Sequence, residues 1–121
     1  MTGILLLAHG SRESDTEQTM RQITQYVQEA LQNDMVEEAY LQFREKNLEK
    51  GLLSLIVRGA DDIRVIPYFL FEGVHIKEDI PGEIAEFQAR HPAIKITMGK
   101  TLGADRRLAE IVADRIRQIG P

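Results

Sequence analysis

The sequence predicts an α/β fold: a single four-stranded parallel sheet with helices on both faces, in one domain over residues 1–121. Three observations predict it. Short apolar runs alternate with longer stretches of helical periodicity, β then α, four times along the chain. The connections are short, so successive strands lie parallel through right-handed crossovers. At 121 residues with 43% hydrophobic side chains, the chain has apolar surface for one core and would bury roughly two-thirds of what it exposes unfolded.

The elements follow in order. Residues 3–8 are an unbroken run of small and apolar residues, the pattern of a strand covered on both faces. Met20, Ile23, Val27, Ala30 and Leu31 then recur at helical spacing, predicting a helix over 15–32 capped by Ser14 or Asp15. Residues 35–43, MVEEAYLQF, alternate weakly and read as a second strand. Leu48, Leu52, Leu55 and Ile56 share one face of a second helix that starts near Asn47 and stops at Gly59. DIRVIPYFLF, residues 62–71, supplies a third strand, with Pro67 toward its end, where a missing N–H costs least. Residues 72–79 read as a loop. Asp79 is expected to cap a third helix, helped by Glu78, with Pro81 in its first turn and Ile80, Ile84 and Phe87 facing inward. His91 before Pro92 ends it and suits a C-terminal cap. Residues 93–98, AIKITM, form a fourth strand, and Leu108, Ile111, Val112, Ile116 and Ile119 are the expected buried stripe of a last helix.

Composition narrows the function. A formal net charge of -4 and a pI near 5.4 argue against nucleic acid as a partner, because phosphate binding calls for a basic face. The opening MTGILLLAHG lacks the positive start and the apolar length of a signal peptide, and no run is long enough to cross a bilayer, so no membrane partner is expected. With no cysteine there is no disulfide framework and no thiolate cluster, which fits a reducing, cytoplasmic setting.

In an open parallel sheet, ligands sit beyond the carboxyl ends of the strands, where strand order reverses. His9 follows the first strand and His75 lies in the segment after the third, and those strands are expected to be neighbours. Either histidine alone reads as an ordinary loop residue bonded to nearby backbone. As a pair they point to one shared crevice, with Gly10 and Gly73 beside them leaving room for a ligand. Other readings of AHGSR fit less well. A phosphatase that phosphorylates histidine would have arginine where Ala8 stands. No dinucleotide loop, Walker lysine or nucleophile elbow is present. Ser11 suits a turn-orienting role.

LLLAHGSR together with IPYFLFEGVHIKEDIP resembles the small CbiX-type sirohydrochlorin cobaltochelatases, relatives of the sirohydrochlorin ferrochelatases. The second motif is the specific one. HPAIKITMGKTLGADRRLAEIV extends the resemblance over nearly the whole chain. It implies a chelatase-like half domain that inserts Co2+ or Fe2+ into sirohydrochlorin without ATP or an organic cofactor, the metal being substrate, and that assembles as a homodimer. His9 and His75 match the family's metal-handling histidines. Neutral imidazole suits that work, since it binds first-row metals of borderline softness and can take up protons near neutral pH. Metal insertion is therefore expected to fail below about pH 6, as imidazole protonates.

Basic residues are expected to meet the carboxylates of the macrocycle: Lys77 and Arg12 first, then Arg44, Lys46 and Lys100, with Ser11 and Gln42 also at the substrate. Gln42 departs from the family, which often has an acidic residue there, and an amide can neither take a proton nor offset a metal's charge. Glu72, where relatives often have a small residue, is the candidate to supply that carboxylate to the metal. REKNL also lacks the proline usual before the second helix. Gln42 suggests the alternative of a metal- or tetrapyrrole-binding protein that has lost catalysis. A signalling-type α/β domain fits less well, because the acidic cluster it needs after the first strand is missing.

Overall fold

The computed structural model describes residues 1–120, with the side chains of His75 and Ile76 outside the described set. In chain order the elements are β1 (Thr2–Ala8), α1 (Ser14–Leu31), β2 (Val36–Tyr40), α2 (Leu48–Val57), β3 (Asp62–Pro67), a π-helical turn (His75–Asp79), α3 (Ile80–Arg90), β4 (Lys95–Met98) and α4 (Arg106–Ile119). The sheet runs β2-β1-β3-β4 with every pair parallel. β1 and β3 are neighbours, as the sequence predicts, and the chain reverses its direction of winding across β1.

The period-two alternation of β1 divides the core. Leu5 and Leu7 join Val65, Leu52, Leu55, Ile80 and Phe87 beneath α2 and α3, whereas Leu6 and Ala8 join Met20, Val36 and Tyr40 beneath α1. Helices therefore cover both faces, with α1 on one and α2 and α3 on the other. Asn47 caps α2 by accepting from the Lys50 N–H, which places the start of that helix where the sequence does.

Four expectations need correction. The cap of α1 is neither Ser14 nor Asp15. Glu13 takes that place with extended backbone and no side-chain bond, and Ser11 Oγ accepts from the Glu13 N–H to shape the entry. The third strand ends at Pro67, because the Tyr68 N–H makes the last bond to Leu7 O and the Phe69 N–H turns back to Pro67 O. Residues 75–79 are no open loop but a π-helical turn that feeds α3, so Asp79 has helical φ and ψ of -69° and -46° and makes no side-chain cap. Glu78, one residue earlier, lies within the same turn.

The largest departure is α4. No residue of it is buried, and Ile111, Val112, Ile116 and Ile119 are 48%, 58%, 61% and 84% exposed. The approach explains this: the Leu102 N–H is bonded to Phe69 O, and Gly103, with φ of +59°, turns the chain away before the helix begins. A helical stripe in a sequence says which face is apolar and not what that face meets.

Candidate functional site

β1 ends at the reversal point of the sheet, and its last carbonyls fasten the loops on either side. Leu7 O accepts from the Tyr68 N–H on the β3 side. Ala8 O and His9 O accept from the Leu41 and Gln42 N–H groups on the β2 side. Gly10 makes this closeness possible. It has φ of +94°, and a Cβ there would lie 2.1 Å from Gln42 O. The glycine thus makes room for a neighbouring backbone, where the sequence reading gave it to a ligand. Gly73, by contrast, stands in open space.

His9 is exposed at this edge and held on two sides. Its ring meets Phe69 edge-on, with centroids 6.0 Å apart, and its Nε2 lies 2.9 Å from Gln42 Nε2. The contact engages one ring nitrogen of His9, with donor and acceptor set by the tautomer of the ring and the orientation of the amide. That ring nitrogen is open to another partner only when the Gln42 amide turns away.

Two cavities open on His9. One, of about 420 Å³, lies toward α1 and is lined by Gly10, Ser11, Thr16, Thr19 and Tyr68 among others. The other, of about 220 Å³, is closed by Leu41, Gln42, Asp79, Ile80 and Glu83. Sequence reasoning missed Glu83 and assigned Asp79 only to capping. The signal was present, because residues four apart on a helix share a face, but it shows only once the π-helical turn is known to carry the helical path through Asp79.

The remaining predicted residues fall into two groups. Arg12 stands over the Phe43 ring at 4.8 Å from its centroid, an exposed cation on an aromatic platform beside the cleft. Phe43 itself is a non-glycine residue with φ of +63°, a strained conformation that no sequence pattern announces. Lys77, Glu72 and Lys100 are exposed; the Lys77 N–H is fixed to Gly73 O, and Glu72 lines neither cavity that opens on His9. Arg44 and Lys46 are engaged in the framework. Arg44 donates to Glu13 O at 2.7 Å and pairs with Glu17 at 3.4 Å, while Lys46 pairs with Glu37. The backbone of His75 begins the π-helical turn after β3, and its side chain lies outside the described residues. Among the described residues no three histidine or carboxylate side chains gather as a metal cage. His91 stacks on Phe87 at 4.1 Å and places Nδ1 3.1 Å from Phe87 O, the end-of-helix role its position suggests.

Comparison with known proteins gives consistent matches. The CbiX family model matches residues 3–119. A sirohydrochlorin cobaltochelatase of Methanopyrus kandleri is 30% identical over 138 residues, covering 98% of this chain and 96% of that one. A sirohydrochlorin ferrochelatase of Bacillus subtilis is 31% identical over 97% of this chain, which spans only 45% of that protein. Among solved structures, the sirohydrochlorin chelatase SirB from Bacillus subtilis subspecies spizizenii in complex with cobalt aligns with a TM-score of 0.89 at 31% identity, covering 98% of this chain and 50% of that one. The chain thus spans about half of some relatives and nearly all of others.

Proposed function

This chain belongs to the CbiX family, and on that premise we propose that it is a chelatase that inserts Co2+ or Fe2+ into sirohydrochlorin, working in the cytoplasm as one subunit of a homodimer. The observation that carries the reading is the position of His9. It is an exposed imidazole at the end of β1, at the point where the winding of the sheet reverses, and it opens on two cavities.

Metal insertion requires a hydrated ion to shed water and enter a nearly planar ring of nitrogens while pyrrole protons leave. In the proposed scheme His9 and His75 hold the arriving ion and take up protons, with Glu72 as the carboxylate that Gln42 does not supply. A closed structural zinc site binds by about 10–16 kcal/mol, too tightly for an ion that must be passed on. Two imidazoles with water completing the shell favour transfer. Arg12 and Lys77 meet the carboxylates of the macrocycle, and Ser11 shapes the wall of the larger cavity. Arg44 reaches the substrate only by releasing its bonds to α1.

The test is to mix the protein with sirohydrochlorin and each metal, and to follow the change in absorbance against the spontaneous rate. Insertion should exceed the spontaneous rate, and His9→Ala and His75→Ala should each remove most of the excess with unchanged circular dichroism. Parent-like rates from both variants would refute the assignment. A second reading, a binder without turnover, is favoured by the Gln42 amide on His9, and metal affinity without insertion would support it.

A further inference from the structure

Phe43 carries backbone strain at a place where the packing of the sheet does not call for it. Its φ of +63° lies in the left-handed region, which costs a residue with a side chain about 1–2 kcal/mol, yet its ring is 50% exposed and belongs to neither core cluster. Strain of this kind persists only where the surroundings over-determine it, and it gathers at ligand sites. What Phe43 holds is Arg12, whose guanidinium carbon stands 4.8 Å from the ring centroid.

Two ties bracket that pair. The Gln42 N–H donates to His9 O at 3.1 Å, and the Arg44 guanidinium donates to Glu13 O at 2.7 Å while pairing with Glu17 at 3.4 Å. The ties to His9 and Glu13 both join the segment after β2 to the segment after β1, and they start from the residues on either side of Phe43. Within the segment after β1, Ser11 Oγ accepts from the Glu13 N–H and so closes a turn around Arg12. The pair also borders both openings on His9, because Ser11, next to Arg12, lines the larger cavity and Gln42, next to Phe43, closes the smaller.

An aromatic ring holds a guanidinium without neutralising it. The attraction contributes about 0.5–1 kcal/mol at an exposed site and leaves the positive charge for a further partner. A carboxylate in the same place would have cancelled that charge. Here Arg12 differs from its neighbours. Arg44 and Lys46 are paired with Glu17 and Glu37, whereas among the described residues no carboxylate pairs with Arg12.

We propose that Phe43 is a positioning residue: it holds Arg12 at the mouth of the cleft with its charge uncancelled, so that the guanidinium receives a carboxylate at the rim of the macrocycle and the site selects rings that bear acid groups there. The proposal rests on the reading of the ligand as a carboxylate-bearing tetrapyrrole and is independent of whether metal is then inserted.

Titration of each variant with metal-free sirohydrochlorin, followed by absorbance, tests it. Phe43→Leu keeps an apolar side chain without the ring and should weaken binding about three- to fivefold, whereas Phe43→Tyr keeps the ring and should bind as the parent does. Arg12→Ala should weaken binding about tenfold, as the loss of a hydrogen bond between charged groups does. The variant carrying both Arg12→Ala and Phe43→Leu should bind no more weakly than Arg12→Ala alone, because the ring acts through the guanidinium. In the insertion assay the same losses should appear in KM with kcat unchanged, and the circular dichroism of every variant should match the parent's. Proton NMR of the free protein should show the Arg12 side chain shifted upfield by the ring and released in Phe43→Leu. Parent-like binding by Phe43→Leu overturns the proposal, as does a loss in kcat at constant KM or an Arg12 signal that Phe43→Leu does not move. Losses that add in the double variant also overturn it, since they would put Phe43 on the macrocycle itself. A parent that does not bind sirohydrochlorin defeats the ligand reading and the proposal with it, whereas a parent that binds and variants that bind equally well defeat the proposal alone.

Discussion

Gly10→Ala tests whether the cleft is built by backbone contact. The added methyl carbon would lie 2.1 Å from Gln42 O, in a residue whose φ is +94°. Left-handed backbone costs an L-residue about 1–2 kcal/mol. Relieving the overlap requires the Gln42 carbonyl to retreat, which strains the Gln42 N–H bond to His9 O and adds about 1–3 kcal/mol, as over-packing does. The expected loss is about 2–5 kcal/mol, a large share of the ~5–15 kcal/mol that holds a typical domain together. At roughly 4 °C per kcal/mol for a chain of this size, the melting midpoint should fall by about 8–20 °C. Thermal and urea unfolding followed by circular dichroism measure it, with Gly73→Ala as control. That glycine has no atom within 4 Å of its added Cβ, so its variant should stay within about 0.5 kcal/mol of the parent. If Gly10→Ala melted within about 2 °C of the parent, the β1 and β2 loops would not be in the contact described.

Three further outcomes are expected. Burial raises the Glu37 carboxyl, but hydrogen bonds from Lys46, Arg58 and Ser54 outweigh it and leave its pKa lowered. That stabilisation is present above the ordinary value of 4.5 and is lost as pH falls through the lower folded value, so Glu37→Gln should cost about 1–2 kcal/mol at pH 7, and that cost should shrink as pH is lowered below 4.5. A gap that did not narrow in acid would contradict this. Tyr40 is buried with no partner for its hydroxyl, and burial, then the charges of Glu38 and Glu17, push its pKa up to about 12. Ultraviolet titration should show one tyrosine resisting ionisation beyond pH 11, and Tyr40→Phe should be neutral or stabilising by about 1 kcal/mol and pull ahead of the parent above about pH 10. Gln42→Glu replaces the amide on His9 with a carboxylate, and calorimetry should show Co2+ bound about tenfold more tightly at neutral pH. Unchanged affinity would mean that the departure at this position does not limit metal capture.

Much of this architecture can be read from the residues. Unbroken or alternating apolar runs mark all four strands because the sheet is covered from both sides at its centre, and Asn47 and Gly59 bracket α2 as their chemistry dictates. His9 is legible because a polar residue directly after a buried strand has to emerge at the sheet edge. What escapes is set by contacts distant in sequence. The exposure of α4 depends on a bond from Leu102 to Phe69 that no local pattern encodes. The π-helical turn at His75–Asp79 has no residue pattern that sets it apart from an open loop. Glu83 enters the cleft only because that turn sets the phase of α3, and Phe43 adopts a backbone conformation its residue type disfavours.

The carbonyls at the tip of β1 are shared between its two sides, one to the chain after β3 and the next two to the chain after β2. Each bank of the crevice is moored at a separate point on the same rigid rod. A disturbance that breaks the bond on one bank therefore leaves the bonds on the other in place, with the imidazole carried between them.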